Sequence, residues 1–238
     1  MIDDAHFQGH DILHDVSINI ADSPCGPIHV WGWQGGARHV PNPGSAVVLP
    51  ITPMVVETQM FSAWIGVGGY ACVPSTAFAG QGAGLMIYTP KFTGVTQAGR
   101  VEMTGRLKYI DGCSDTLLIC PPVWGQPCLN HLHLPAGIHQ TEHVHPSDRI
   151  GIILGGHGQC WTPAGKYDLT PGMFWRIPTG GKHSFHTFED SLDVLAWHPD
   201  SEFGPRHDDH PMLSRTIVDD VPANDERHRA IRTTEIRA

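Results

Sequence analysis

The stretch His139-Gln140-Thr141-Glu142-His143-Val144-His145 carries the chain's densest set of groups able to do chemistry. Side chains alternate faces along a strand, so His143 and His145 present two imidazoles to one side. His139 and Thr141 share that parity by simple counting. Two imidazoles bind one metal when a third ligand arrives from a neighbouring strand. His183 follows the Gly- and Pro-rich turn Pro178-Thr179-Gly180-Gly181, which can aim it inward. Three neutral imidazoles suit Fe, Zn, Cu, Ni or Mn, and geometry must choose among them.

The elements that would hold these residues read as short strands. Apolar runs such as Met60–Val67, Gly84–Tyr88, Ile150–Leu154, Met173–Ile177 and Leu192–Trp197 are each bounded by turn formers. The chain has 238 residues, with 27 Gly and 20 Pro spread along it. Many turns between short strands argue for an all-β sandwich or barrel. The last twenty or so residues are the best helix candidate. His6, His10 and His14 have i, i+4 spacing, which would stack them on one helix face as surface groups.

The net charge of −9, with 15 basic residues, excludes the basic patch of a nucleic-acid binder. No apolar run approaches the roughly 18 residues of a membrane span. The N-terminus lacks a basic-then-apolar signal, so a soluble cytoplasmic protein is expected. None of the six cysteines forms a C-x-x-C pair, and free thiols are expected. Cys160 is a candidate pocket residue. Of 17 histidines, 12 lie from His131 onward, which puts the chemistry in the second half.

An internal repeat is visible. Gly172, Pro178, Gly180 and His183 are echoed by Gly68, Pro74, Thr76 and Ala79, with Ala79 standing where His183 stands. The expected division is 1–110, a degenerate half without metal ligands, and 111–238, a metal-binding half.

Taken with Gly137, His143, His145 and Gly156, these residues resemble the two motifs of the cupin superfamily, G-x5-H-x-H-x3,4-E-x6-G and G-x5-P-x-G-x2-H-x3-N. The resemblance implies a double-stranded β-helix, a jelly-roll-type barrel, with one divalent metal on His143, His145 and His183. With two copies the chain would look like a bicupin with one working site. Two positions depart from the pattern. Arg149 stands where the first motif has its metal-binding Glu, and Thr187 where the second has Asn. Asp148 or Glu142 could replace the carboxylate, although Glu142 has the wrong parity.

Without that carboxylate the site keeps more positive charge, and an inward Arg149 would add to it. Such a site favours an anionic, chelating small molecule, with the Arg149 fork on its carboxylate. His139 is the candidate acid–base group; Trp161, Trp175, His186 and His198 are further pocket candidates. For a three-histidine site the resemblance implies a mononuclear non-haem Fe(II) dioxygenase, with O2 as co-substrate. The alternatives are a Zn, Mn or Ni Lewis-acid enzyme using His139 as base, and a non-enzymatic ligand-binding or sensor module. A homodimer would cover sheet edges of this fold.

Overall fold

The computed structural model describes residues 1–11, 16–75, 77–92, 96–121, 125–200 and 212–234. His14, Thr76, His207 and His210 lie outside them. The chain forms two compact units, Met1–Glu202 and Phe203–Ala238. The described strands pair antiparallel throughout, and among the described residues no helix is long and apolar enough to cross a membrane.

The larger unit holds two sandwiches. In the first, a six-stranded sheet runs in the order Gln97–Arg100, Gly69–Pro74, Ser45–Pro50, Ala83–Thr89, Ile28–Gln34 and Ser17–Ile20. A four-stranded sheet containing Met54–Glu57 and Ser62–Ile65 covers one face of it. Their shared core includes Trp33, Val48, Met54, Val56, Ile65 and Met86. Ala79 is buried within that core. Its methyl group makes a packing contact and offers no metal ligand.

In the second, an eight-stranded sheet includes Gln8–Asp11, Met173–Ile177, Arg149–Gly156, Leu192–His198, Cys128–Leu134 and Ser114–Ile119 as successive neighbours. A three-stranded sheet of Lys166–Leu169, Gly158–Trp161 and Ser184–His186 faces it. The enclosed core gathers Phe7, Leu134, Ile153, Cys160, Trp175, Ile177, Phe185 and Val194. This sheet draws residues from both sides of position 110, because Ile2–Asp3, Gln8–Asp11 and Leu107–Lys108 all belong to it.

A third apolar cluster joins the two large sheets back to back. Ile28, Val30, Leu49 and Ile87 from one meet Leu129, Ile150, Ile152, Phe174, Leu195 and Trp197 from the other. Strand alternation explains the division: Ile150 and Ile152 face the neighbouring sheet, while Ile153 faces its own barrel. Strands buried on both faces read as near-continuous apolar runs, which is how Ile150–Leu154 reads.

Two local expectations are corrected. Gln8–Asp11 is a strand paired to Met173–Arg176, so His10 is a strand residue rather than part of a helical stripe. Pairing with a buried strand outweighs a weak i, i+4 spacing interrupted by Gly9. The C-terminal helix is short and 3-10, spanning Glu226–Ile231, with the Asp225 carboxylate capping Arg227 N–H.

Candidate metal centre

Residues 139–145 run beside Ser184–His186 without forming a regular strand. His143 N–H donates to His183 O at 2.9 Å, and His183 N–H returns the bond to His143 O at 3.1 Å. Gly180 N–H donates to His145 O at 2.9 Å, which ties the turn carrying His183 to the end of the H-x-H segment. Gly180 has φ +71°, a left-handed conformation that explains why glycine stands there.

These bonds bring His143, His145 and His183 together. Their ring centroids lie 4.9, 4.5 and 5.1 Å apart. One ligand atom from each lies within 4.8 Å of the others. Among the described residues this is the one such group of three or more. His143 Nδ1 donates to Thr141 O at 2.8 Å and His183 Nδ1 to Gly181 O at 3.0 Å. A carbonyl can only accept, so both Nδ1 atoms carry hydrogen and both Nε2 lone pairs are left to bind a metal. Burial pushes His145 down to about 2 and His183 to about 4, with the Arg149 charge adding to both. Neutral imidazole is the state a metal needs, so the donor set fits a divalent ion.

Among the described residues no carboxylate joins the group. Asp148 Oδ1 accepts from Arg176 Nε at 2.8 Å, and its other oxygen faces Thr179 at 3.4 Å. Glu142 is exposed and lies 3.8 Å from Lys182 Nζ. Neither replaces the missing Glu.

Arg149 pairs across the sheet with Ile177, a barrel-core residue, so its side chain takes the inward face. Its Nη1 donates to Ser147 Oγ at 2.6 Å, Ser147 O at 3.1 Å and Asp148 O at 3.2 Å. It also lies 3.8 Å from Asp200 Oδ1. Cys128 and His198 pair directly on the adjoining strands, on the face that also carries Leu134, Val194 and Leu192. Cys128 Sγ lies 2.8 Å from His198 Nε2, and His198 Nδ1 lies 2.7 Å from Asp200 O. Burial holds His198 below its ordinary range. His198 thus packs on the inward face of its sheet.

His139 does not join the metal cluster. Its bridge is to His186, while that of His143 is to His183, so four steps on one side match three on the other. The extra residue reverses the parity between the two positions. Gln140 turns inward, accepting from Phe185 N–H at 3.1 Å, and His139 turns out. Its ring lies against His186, Trp161 and Phe188, with Nδ1 3.2 Å from His186 Nδ1. Trp161 and His186 stack at 3.7 Å on this outer face, and neither lines the barrel. Trp175 does face inward, packed edge-on against Phe185. Cys160 is sealed in the core.

Thr187, in the place of the motif's Asn, clamps the start of the ligand segment. Its hydroxyl donates to Pro135 O and accepts from Ile138 N–H at 2.9 Å. Asp200 and Ser147 were not legible as site residues; neither belongs to a spacing pattern.

Comparison with known proteins bears on this geometry. Residues 130–197 match the family model described as a cupin domain. No curated protein matches the chain by sequence. A cupin 2 conserved barrel domain protein from Leptotrichia buccalis superposes with a TM-score of 0.58 at 12% identity, covering 81% of this chain and 96% of that one. Protein Ylba from E. coli gives 0.60 at 11%, covering 86% and 95%. A salicylate 1,2-dioxygenase from Pseudaminobacter salicylatoxidans gives 0.56 at 10%, covering 77% and 76%. At these identities the likeness is one of fold. Together with the domain match and the two motifs, it places a cupin domain at residues 130–197 of the chain.

Proposed function

We propose that the chain is a mononuclear non-haem Fe(II) dioxygenase acting on a small chelating anion. Residues 111–238 form the working half and 1–110 a degenerate half without metal ligands. The observation that carries this reading is three imidazoles with ligand atoms within 4.8 Å of one another and no carboxylate among them. Three protein ligands leave coordination positions for a bidentate substrate and O2 side by side, which is the chemistry a bound ferrous ion would supply. His143 and His183 are oriented by their Nδ1 bonds before any metal arrives. Arg149 serves as the substrate-binding residue. All its hydrogen bonds to described residues use Nη1, so Nε and Nη2 remain to hold a ligand carboxylate. Trp175 supplies apolar wall.

The salicylate 1,2-dioxygenase of similar fold has been crystallised with gentisate, a small aromatic acid, which supports a substrate of this size and charge. A Zn, Mn or Ni Lewis-acid enzyme would need a base at the site. His139, its candidate, faces the other way, so this reading is the weaker. A module that only binds a ligand is separated from both by turnover.

The test is metal analysis of protein purified without added metal, for wild type, His143→Ala and His183→Ala. It is followed by oxygen uptake with Fe(II) and a panel of hydroxylated aromatic and aliphatic monocarboxylates. Stoichiometric metal in wild type, lost in both variants, and uptake that needs Fe(II) are expected. Metal retained by both variants would overturn the site. Anaerobic turnover would overturn the dioxygenase reading.

A further inference from the structure

Arg149 is not an isolated cation in the barrel. Asp200 lies 3.8 Å from its Nη1. Ser147 joins the two, its hydroxyl accepting from Arg149 and donating to the Asp200 carboxylate. One hydroxyl has one proton to give and lone pairs to receive with, so the chain Arg149–Ser147–Asp200 is complete in hydrogen bonds. Both side chains are largely buried, at 12% and 14% exposure, where screening by salt is weak. The His198 ring lies 3.6 Å from the same carboxylate. The nearby His198 ring, the hydrogen bond from Ser147 and the Arg149 charge hold Asp200 at about 2. The carboxylate is therefore ionised near neutral pH.

The sum differs from that expected of Arg149 alone. One positive and one negative charge face each other in the barrel that also holds the three imidazoles. Among the described residues of this site, a divalent metal on those imidazoles would be the only uncompensated charge. We infer that Asp200 is a specificity-determining residue, which weakens this site's hold on a chelating ligand by a further step for each negative charge the ligand carries. The inference rests on the metal reading proposed above and narrows it to one ligand class. A monocarboxylate with a neutral hydroxyl or carbonyl beside it fits. Its carboxylate and that neighbour can take the metal, while the open edge of Arg149 holds a ligand oxygen without adding net charge. A dicarboxylate or phosphate fits less well, because its second negative charge meets Asp200 where an uncompensated Arg149 would otherwise receive it.

The test uses Co(II)-loaded protein and its visible absorption bands to read ligand binding. The probes are imidazole, neutral; glycolate, singly charged; and oxalate, doubly charged. Asp200→Asn and Asp200→Ser both remove the charge and keep an acceptor for Ser147. Asp200→Glu keeps the charge. For charges about 10 Å apart at an effective dielectric near 20, the expected gain is about tenfold per unit of ligand charge. Both neutral variants should bind glycolate about tenfold and oxalate about a hundredfold more tightly. Imidazole binding should be unchanged, and Asp200→Glu should keep the wild-type order. Equal shifts for all three probes, or no shift in either neutral variant, would overturn the inference and leave the metal site standing. Failure of the wild type to bind Co(II) would overturn the metal reading, and this inference with it.

Discussion

Acid should unfold the metal-free protein at a pH where most domains are still stable. His145 and His183 are held at about 2 and about 4 by burial in the folded chain. Unfolded, each imidazole titrates near 6.5. Below that pH the unfolded chain takes up protons that the folded chain refuses. The stability these groups contribute is therefore complete above about pH 6.5 and falls as the pH drops toward the folded values. Each neutral ring costs about 1.4 kcal/mol per pH unit in this window. Between pH 6.5 and 5.0 that is about 2 kcal/mol for each, or about 4 kcal/mol together. A domain has only roughly 5–15 kcal/mol to lose. His198, also buried and also held low, acts with the same sign. Urea denaturation in the presence of a chelator, at pH 7.0 and 5.0, measures the difference directly. The wild type should lose several kcal/mol, and His183→Asn should lose about 2 kcal/mol less. Equal stability at the two pH values in wild type, or an unchanged pH dependence in the variant, would refute the argument that these imidazoles are buried and neutral.

Three further outcomes follow from local geometry. A Cβ on Gly156 would meet Ser191 O at 1.8 Å at a φ of +75°, whereas one on Gly180 would meet nothing within 4 Å at +71°. Gly156→Ala should therefore cost several kcal/mol or abolish folding, and Gly180→Ala only about 1–2 kcal/mol, both read from thermal unfolding. His139→Ala should leave Co(II) affinity within about twofold of wild type by chelator competition, since its ring lies on the outer face; a loss of tenfold or more would contradict the reversed parity. Thr187→Ala removes the hydroxyl that serves Pro135 O and Ile138 N–H. It should cost about 1–3 kcal/mol in denaturation, with Thr187→Ser recovering most of it.

What the sequence made legible is what local chain geometry controls. The H-x-H pair and the Pro-x-Gly-x2-His turn each place ligands by rules that act over a few residues: alternation along an extended chain, and a glycine at positive φ. Gly137, Gly156, Gly172 and Gly180, the motif glycines, all have φ between 71° and 85° in the fold. The strands announced themselves as apolar runs, though nothing in them told which apolar face meets the barrel core and which meets the second sheet. His139 shows where local counting stops. Its parity follows from alternation until one extra residue between His139 and His143 enters the pairing with His186 and His183, and that offset depends on the partner as much as on the segment.

The charge of the site lies further still beyond local reading. Arg149 occupies the position of a conventional carboxylate ligand, and counted alone it makes the pocket strongly positive. Asp200, far along the chain, reverses that conclusion from just past the strand Leu192–His198, which becomes a neighbour of Arg149–Gly156 only through the order of the sheet. On these two strands Ile150, Ile152, Leu195 and Trp197 are buried together against the neighbouring sheet. The packing that joins the two sandwiches thus holds the strands that carry Arg149 and lead to Asp200. Loosening that apolar cluster, as Trp197→Ala would, should weaken ligand-charge discrimination at the metal centre before it weakens metal affinity itself. The three imidazoles are held by their own backbone bonds, whereas the Arg149–Asp200 pair is held by the sheet.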